Sequence, residues 1–330
     1  MKVAVIGAGA WGTALANLLA ENEHEVMLWA HEPDVVESIN THFENRRFLA
    51  GVSLNHGVHA SGLMDQVVEG AALALFVAPS HVLRAVAASA NRAMPAGIPL
   101  VVATKGIDRE RLSLMTDVVQ EEIAAHPIVA LSGPSFALEV AHHLPTAIVA
   151  ASTDAAAAKL TQQALSTSAF RVYTQSDVIG VELGGALKNV MAVATGIADG
   201  LQLGFNARAA LITRGLAEMT RLGVKLGADP QTFAGLAGMG DLVLTCTGSL
   251  SRNRSVGLEI GRGAVLSEIL QGRETVAEGV TTCESAKMLA EKHGVDMPIV
   301  NAVYRVLFER QPARWALVEL MTRDLKAERD

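Results

Sequence analysis

The 330-residue chain carries a formal net charge of −7 and a pI near 5.8, which argues against a general polyanion binder, since nucleic-acid binders show a basic excess. Half of its residues are hydrophobic but only 4% are aromatic, so a sizeable core must be built from Ala, Val, Leu and Ile, and the length suits two domains. Cys246 and Cys283 form no CxxC pair and no cysteine–histidine zinc spacing; they read as free buried thiols of a reducing compartment, and no metal site is expected.

In chain order, short and continuously apolar runs predict strands at 3–6, 26–29, 73–78, 100–103, 128–131, 147–151 and 170–173. Helical stretches lie between several of them: one begins at 13–20, and others cover 81–94 and 111–125. This alternation implies a doubly wound, mostly parallel sheet. After about residue 177 the strand signal stops. Helices are expected at 181–198, 207–226, 283–293, 298–308 and 312–322. The chain therefore reads as an α/β domain over 1–178 followed by an all-α domain over 179–330. Glycines interrupt the apolar N-terminus, so it is not read as a signal peptide. No apolar run of the ~20 residues needed to span a bilayer appears without glycine or polar interruption. The expected location is the cytoplasm.

Gly7-Ala8-Gly9-Ala10-Trp11-Gly12 is a G-x-G-x-x-G motif between the first strand and the first helix, the context that gives it meaning. Gly7 permits the tight turn, Gly9 lets backbone approach a pyrophosphate, and Gly12 allows close helix–strand packing. The helix N-terminus offers N–H groups and partial positive charge to the phosphates. The first domain is thus expected to be a Rossmann domain that binds NAD or NADP. His31 and Glu32 follow the second strand, where a carboxylate would hold a ribose 2′-hydroxyl. A protonated His31 would instead suit a 2′-phosphate, so the cofactor preference stays open.

A ketone reduction needs a hydride and a proton for the developing alkoxide. Lys105 directly follows a strand, at the ligand-facing edge of such a sheet. The turn Gly133-Pro134-Ser135-Phe136-Ala137 lies at the same edge and offers N–H groups and the Ser135 hydroxyl. Lys188 is the only basic residue between Val181 and Asp199. At helical spacing it shares a face with Gly184, Gly185, Ala192 and Thr195, a shallow groove into which other structure or a ligand can come close. A lysine partly removed from water gives up its proton more readily, as a proton donor should. Asp241 either pairs with Lys188 or is a routine loop acid. Ser251-Arg252-Asn253-Arg254 supplies hydroxyl, amide and guanidinium groups, a phosphate clamp within an acidic protein.

Assembled, these stretches resemble the bacterial NAD(P)-dependent glycerol-3-phosphate dehydrogenase family along nearly the whole chain. The telling pieces are 7–12 followed by Thr13-Ala14-Leu15-Ala16, Ala103-Thr104-Lys105-Gly106-Ile107, 133–137, 186–200, 236–246, Ser251-Arg252-Asn253-Arg254 and Val276-Ala277-Glu278-Gly279. The resemblance implies that Lys188 is the proton donor and acceptor. It implies substrate contacts from Lys105, Gly133, Ser135, Asp241, Ser251, Arg252 and Asn253. Cofactor contacts would come from Gly7, Gly9, Ala10, Trp11, Gly12, His31, Phe48, Lys105, Ala137, Arg252, Val276 and Glu278. It further implies NAD(P)H-dependent reduction of dihydroxyacetone phosphate to sn-glycerol 3-phosphate for phospholipid synthesis, often by a homodimer, with no nucleic-acid partner. Three positions depart from the pattern: Ala10 replaces a frequent Ser, Ala50 a usual Pro, and His31-Glu32 stand where Arg is common. Two rivals remain. A related 3-hydroxyacid dehydrogenase would prefer a carboxylate to a phosphate. A non-catalytic dinucleotide sensor would leave Lys188, Asp241 and Arg252 without a role.

Overall fold

The computed structural model describes residues 1–271, 277–325, 327 and 328, and divides into two compact units. The first comprises Met1–Gly185 with Ala228–Asp241, the second Ala186–Gly227 with Leu242–Asp330. The division falls inside one helix, Val178–Gly200, rather than at a single cut near 178, and a later segment returns to the first unit.

The first unit is built on eight strands: β1 (Lys2–Ile6), β2 (Glu25–Trp29), β3 (Val58–Ser61), β4 (Leu73–Phe76), β5 (Leu100–Val102), β6 (Ile128–Ser132), β7 (Thr146–Ala151) and β8 (Phe170–Gln175). Their order is β3-β2-β1-β4-β5-β6-β7-β8. β3 through β6 pair in parallel, with the direction of chain progression reversing between β1 and β4, where a doubly wound sheet opens its ligand crevice. β7 enters antiparallel to β6 and β8 is parallel to β7, so the last two strands oppose the others. Only the short Ala137–Ala141 helix separates β6 from β7, and the chain turns back instead of crossing over.

Side-chain alternation explains the apolar runs. Val3 and Val5, Leu73 and Leu75, and Val101 enter the core on one face of the sheet. Ala4 and Ile6, Ala74 and Phe76, and Leu100 and Val102 enter the core on the other. A strand covered on both faces has no reason to alternate apolar with polar.

The second unit is helical, with Gly204–Lys225, Arg252–Gly261, Glu278–His293, Pro298–Phe308 and Ala313–Met321 as its longer members beside the end of Val178–Gly200. Two helices approach through paired glycines. A methyl group built on Gly196 would lie 2.1 Å from the Arg254 carbonyl oxygen, and one on Gly257 2.1 Å from that of Val193. Gly200 and Gly261 repeat the pattern one turn later, against the carbonyls of Leu258 and Ile197. Glycine at i and i+4 on both helices lets the backbones touch. Val178–Gly200 is long and apolar enough to cross a membrane by length and composition, yet 89% of its apolar window is buried inside the protein, as for a core helix.

Two buried carboxylates cap helices from a distance. Glu182 accepts the backbone N–H of Thr116 at 2.8 Å, in the first turn of Met115–Glu122, and also takes the Thr116 hydroxyl. Glu218 accepts the N–H groups of Ile299 and Val300 at 2.7 and 3.3 Å, in the first turn of Pro298–Phe308. Burial outweighs these bonds and raises each carboxyl from 4.5 to about 7. A carboxyl raised on folding holds its proton longer in the native state, so stability falls as pH rises from about 4.5 to about 7. Glu218→Gln removes that dependence at one site. Its unfolding free energy relative to wild type is expected to improve by on the order of 3 kcal/mol between pH 4.5 and pH 8, read by denaturant titration. An offset independent of pH would refute the assignment.

Candidate active site

The nucleotide fingerprint forms at the carboxyl end of β1. Gly7 has φ +121°, a conformation that requires glycine, and donates its N–H to the Trp29 carbonyl at 3.2 Å. A methyl on Gly12 would sit 1.8 Å from the Gly7 carbonyl oxygen, so Gly12 serves close packing as the spacing predicts. Gly9 caps the Ala10–Glu21 helix with no side chain, no acidic residue follows in the first turn, and a methyl on Gly9 would meet nothing within 4 Å. This open, uncapped helix start suits the pyrophosphate of a dinucleotide. Ala10 and Trp11 are half-buried in that first turn, and exposed His31 lies beside Trp29 just after β2.

Asn45, which the sequence reading missed, joins this turn to the Phe48 loop. It is fully buried, donates to the Ala8 carbonyl and the Thr13 hydroxyl at 2.8 Å each, and accepts the Phe48 N–H at 3.1 Å. A lone polar residue in an otherwise unremarkable segment gave no pattern by which to find it.

The loops after β5 and β6 carry the next group. Thr104 donates to the Ala78 carbonyl at 2.7 Å and ties the β5 loop to the β4 loop. Lys105 then places its Nζ 2.5 Å from Oδ2 of Asp241 and 3.3 Å from the Gly133 carbonyl, which also accepts the Ser135 hydroxyl at 3.0 Å. Gly133 has φ +146°, and a methyl there would come within 2.8 Å of Ile148 Cα. Asp241 is 1% exposed and opens the helix Asp241–Thr247, so it is no loop acid. The π-helical turn Leu236–Gly240 delivers it, a local geometry often found at functional sites. Gly184 makes room for that turn, since a methyl on it would meet the Ala237 carbonyl oxygen at 2.4 Å. The small-residue face of the long helix thus admits other structure at this end. Ala137 opens the short helix that follows the Gly133 turn and is half-buried.

In the second unit Lys188 is 7% exposed and donates to the Thr245 hydroxyl at 2.8 Å. Thr245 is a further site residue missed in the sequence; it stands four residues after Asp241 on one helix, spacing that puts the two on one face. Ser251 caps the Arg252–Gly261 helix, its hydroxyl accepting the Arg254 N–H at 3.3 Å. Arg252 is exposed and meets no carboxylate among the described residues. Asn253 is buried: it donates to Asn189 Oδ1 at 2.9 Å and accepts the Gly279 N–H at 2.9 Å. Asn189, also missed although adjacent to Lys188, reaches Glu278 Oε2 at 3.4 Å. Asn189, Asn253 and Glu278 thereby form one polar network, while Val276 lies outside the described residues. Cys246 and Cys283 are buried and form no disulfide among the described residues, and no cluster of metal-ligating side chains occurs among the described residues.

Comparison with known proteins agrees along the whole chain. The family profile described as NAD-dependent glycerol-3-phosphate dehydrogenase N-terminus matches residues 2–158, and its C-terminal counterpart matches 177–318. The glycerol-3-phosphate dehydrogenase (NAD(P)+) of Geobacter sp. (strain M21) is 55% identical over 330 residues, covering 99% of this chain and 98% of that relative. The crystal structure of glycerol-3-phosphate dehydrogenase from Coxiella burnetii superposes with a TM-score of 0.94 at 41% identity, covering 98% of this chain and 99% of that one. The enzyme of Saccharomyces cerevisiae gives a TM-score of 0.83 at 28% identity, with 96% and 98% covered. A dinucleotide fingerprint, a buried lysine and an exposed arginine thus stand on a chain related end to end to one set of enzymes, and the chain belongs to the NAD-dependent glycerol-3-phosphate dehydrogenase family.

Proposed function

We propose that this chain reduces dihydroxyacetone phosphate to sn-glycerol 3-phosphate with NADH or NADPH, reversibly, and so supplies glycerophospholipid synthesis. The observation that carries the reading is Lys188, an amine withdrawn from bulk water and aimed by a hydrogen bond to Thr245. The fingerprint residues Gly7, Gly9 and Gly12 would hold the dinucleotide, with Ala10, Trp11, His31 and Phe48 beside it and Ala137, Val276 and Glu278 as further contacts. When bound, its dihydronicotinamide supplies the hydride that reduces the C2 carbonyl.

Lys188 delivers the proton to the carbonyl oxygen as negative charge develops there. Lys105 adds positive charge beside that oxygen, and Asp241 fixes its ammonium in place. Gly133 and Ser135 shape the turn against which the substrate hydroxyl rests. Arg252 binds the phosphate: it is a guanidinium that no described carboxylate neutralises, and its fork matches phosphate oxygens. Ser251 and Asn253 hold the turn that presents it, through the cap and the Asn189 network.

Arg252→Lys tests the phosphate assignment. A point charge cannot copy a two-pronged contact, and a charge-assisted hydrogen bond contributes roughly 1.5–3 kcal/mol. The KM for dihydroxyacetone phosphate should rise about tenfold or more, with a smaller change in kcat. An unchanged KM would remove Arg252 from the phosphate site. The proposed location is the cytoplasm, a reducing compartment in which buried cysteines such as Cys283 stay as thiols. A homodimer is supported by apolar residues left uncovered on the second unit, Phe205 at 80% and Trp315 at 65% exposure, and light scattering of the purified chain tests it.

A further inference from the structure

The two guanidiniums of Ser251-Arg252-Asn253-Arg254 have different surroundings. Arg252 is exposed and meets no carboxylate among the described residues, whereas Arg254 is committed. Its Nε and Nη2 lie 2.8 and 2.7 Å from Oδ2 of Asp199. The other oxygen of Asp199 takes Nε and Nη2 of Arg208 at 3.0 and 2.6 Å. The carboxylate is only 9% exposed and is gripped on both sides. It stands between Gly196 and Gly200, where the backbones of the Val178–Gly200 and Arg252–Gly261 helices touch. Asp199 thus fixes the first turn of the helix whose first residue is Arg252.

We propose that Asp199 is a positioning residue for substrate phosphate: by holding Arg254 it sets the direction in which Arg252 presents its fork. The proposal rests on the reading of Arg252 as the phosphate ligand. It has a sign that distinguishes it from plain electrostatics. Removing a negative charge near an anion site would, by Coulomb attraction alone, tighten anion binding. Removing a positioning contact loosens it, because small displacements of a ligand-binding group cost much of its effect.

The test is steady-state kinetics of wild type, Asp199→Asn, Arg254→Lys and Arg252→Ala, with dihydroxyacetone phosphate and with dihydroxyacetone, which lacks the phosphate. Asp199→Asn and Arg254→Lys are expected to raise the KM for dihydroxyacetone phosphate roughly five- to twentyfold, with kcat within about threefold. Their kcat/KM for dihydroxyacetone should match wild type, which a general disturbance of the helix would not allow. Arg252→Ala, which removes the phosphate ligand itself, should raise the KM for dihydroxyacetone phosphate further than either. A folded Asp199→Asn with unchanged or lowered KM overturns the proposal, as does an equal loss on both substrates. Should Asp199→Asn fail to fold, Arg254→Lys alone decides by the same criteria. If Arg252→Ala also leaves KM unchanged, the phosphate assignment itself falls, and the positioning role with it.

Discussion

Replacing Lys188 by alanine is expected to lower turnover of dihydroxyacetone phosphate by on the order of 10²–10⁴, the usual contribution of a positioned general acid. The loss should appear in kcat, since the amine acts on charge that exists only as the carbonyl oxygen is reduced. The fold should survive. Lys188 sits on a helix most of whose residues are buried and apolar, Leu187, Val190, Met191 and Val193 among them, and these contacts remain in the variant. Thermal melting and cofactor binding by fluorescence would verify that the variant is intact. Near-normal turnover in an intact variant would reject the role.

Replacing Gly257 by alanine should act on the structure first. The added methyl would lie 2.1 Å from the Val193 carbonyl oxygen, with the Ile197 N–H at 2.9 Å. Both belong to helix backbone, which cannot move aside as a side chain would. Overpacking of a rigid contact costs typically 1–3 kcal/mol and more where the backbone itself must shift. A loss of about 3 kcal/mol or more is expected in denaturant titration, with falling activity because the same helix begins at Arg252. A wild-type melting curve with full activity would show that the helices are not held by this contact.

The parts of this molecule legible in its sequence are those where one residue answers to one local demand. The fingerprint could be read because backbone geometry at Gly7 and packing at Gly12 admit only glycine. Lys188 stood out because an amine on a long apolar helix has few reasons to be there. The Pro298–Phe308 helix falls where apolar periodicity and an N-terminal proline place it. Features that depend on distant partners left no such mark. β3 is four residues long, Val-His-Ala-Ser, and becomes a strand only by pairing with β2. The reversal of β7 has no local signal. The helix Pro33–His42 is polar over most of its surface, with only Val35 and Ile39 buried, too little for a stripe. Lys105 and Asp241 are 136 residues apart, and nothing short of the fold brings 228–241 back to the first unit. The separate environments of Arg252 and Arg254 are equally invisible, because neighbours in sequence leave a helix N-terminus in different directions.

The most direct test of the account is the absorbance of NADH and NADPH at their dihydronicotinamide band when the purified chain meets dihydroxyacetone phosphate. The account predicts a substrate-dependent fall in absorbance with at least one of the two cofactors, with sn-glycerol 3-phosphate as the product and little response to a 3-oxo carboxylic acid. No fall with either cofactor, or faster consumption with the carboxylate, would contradict it.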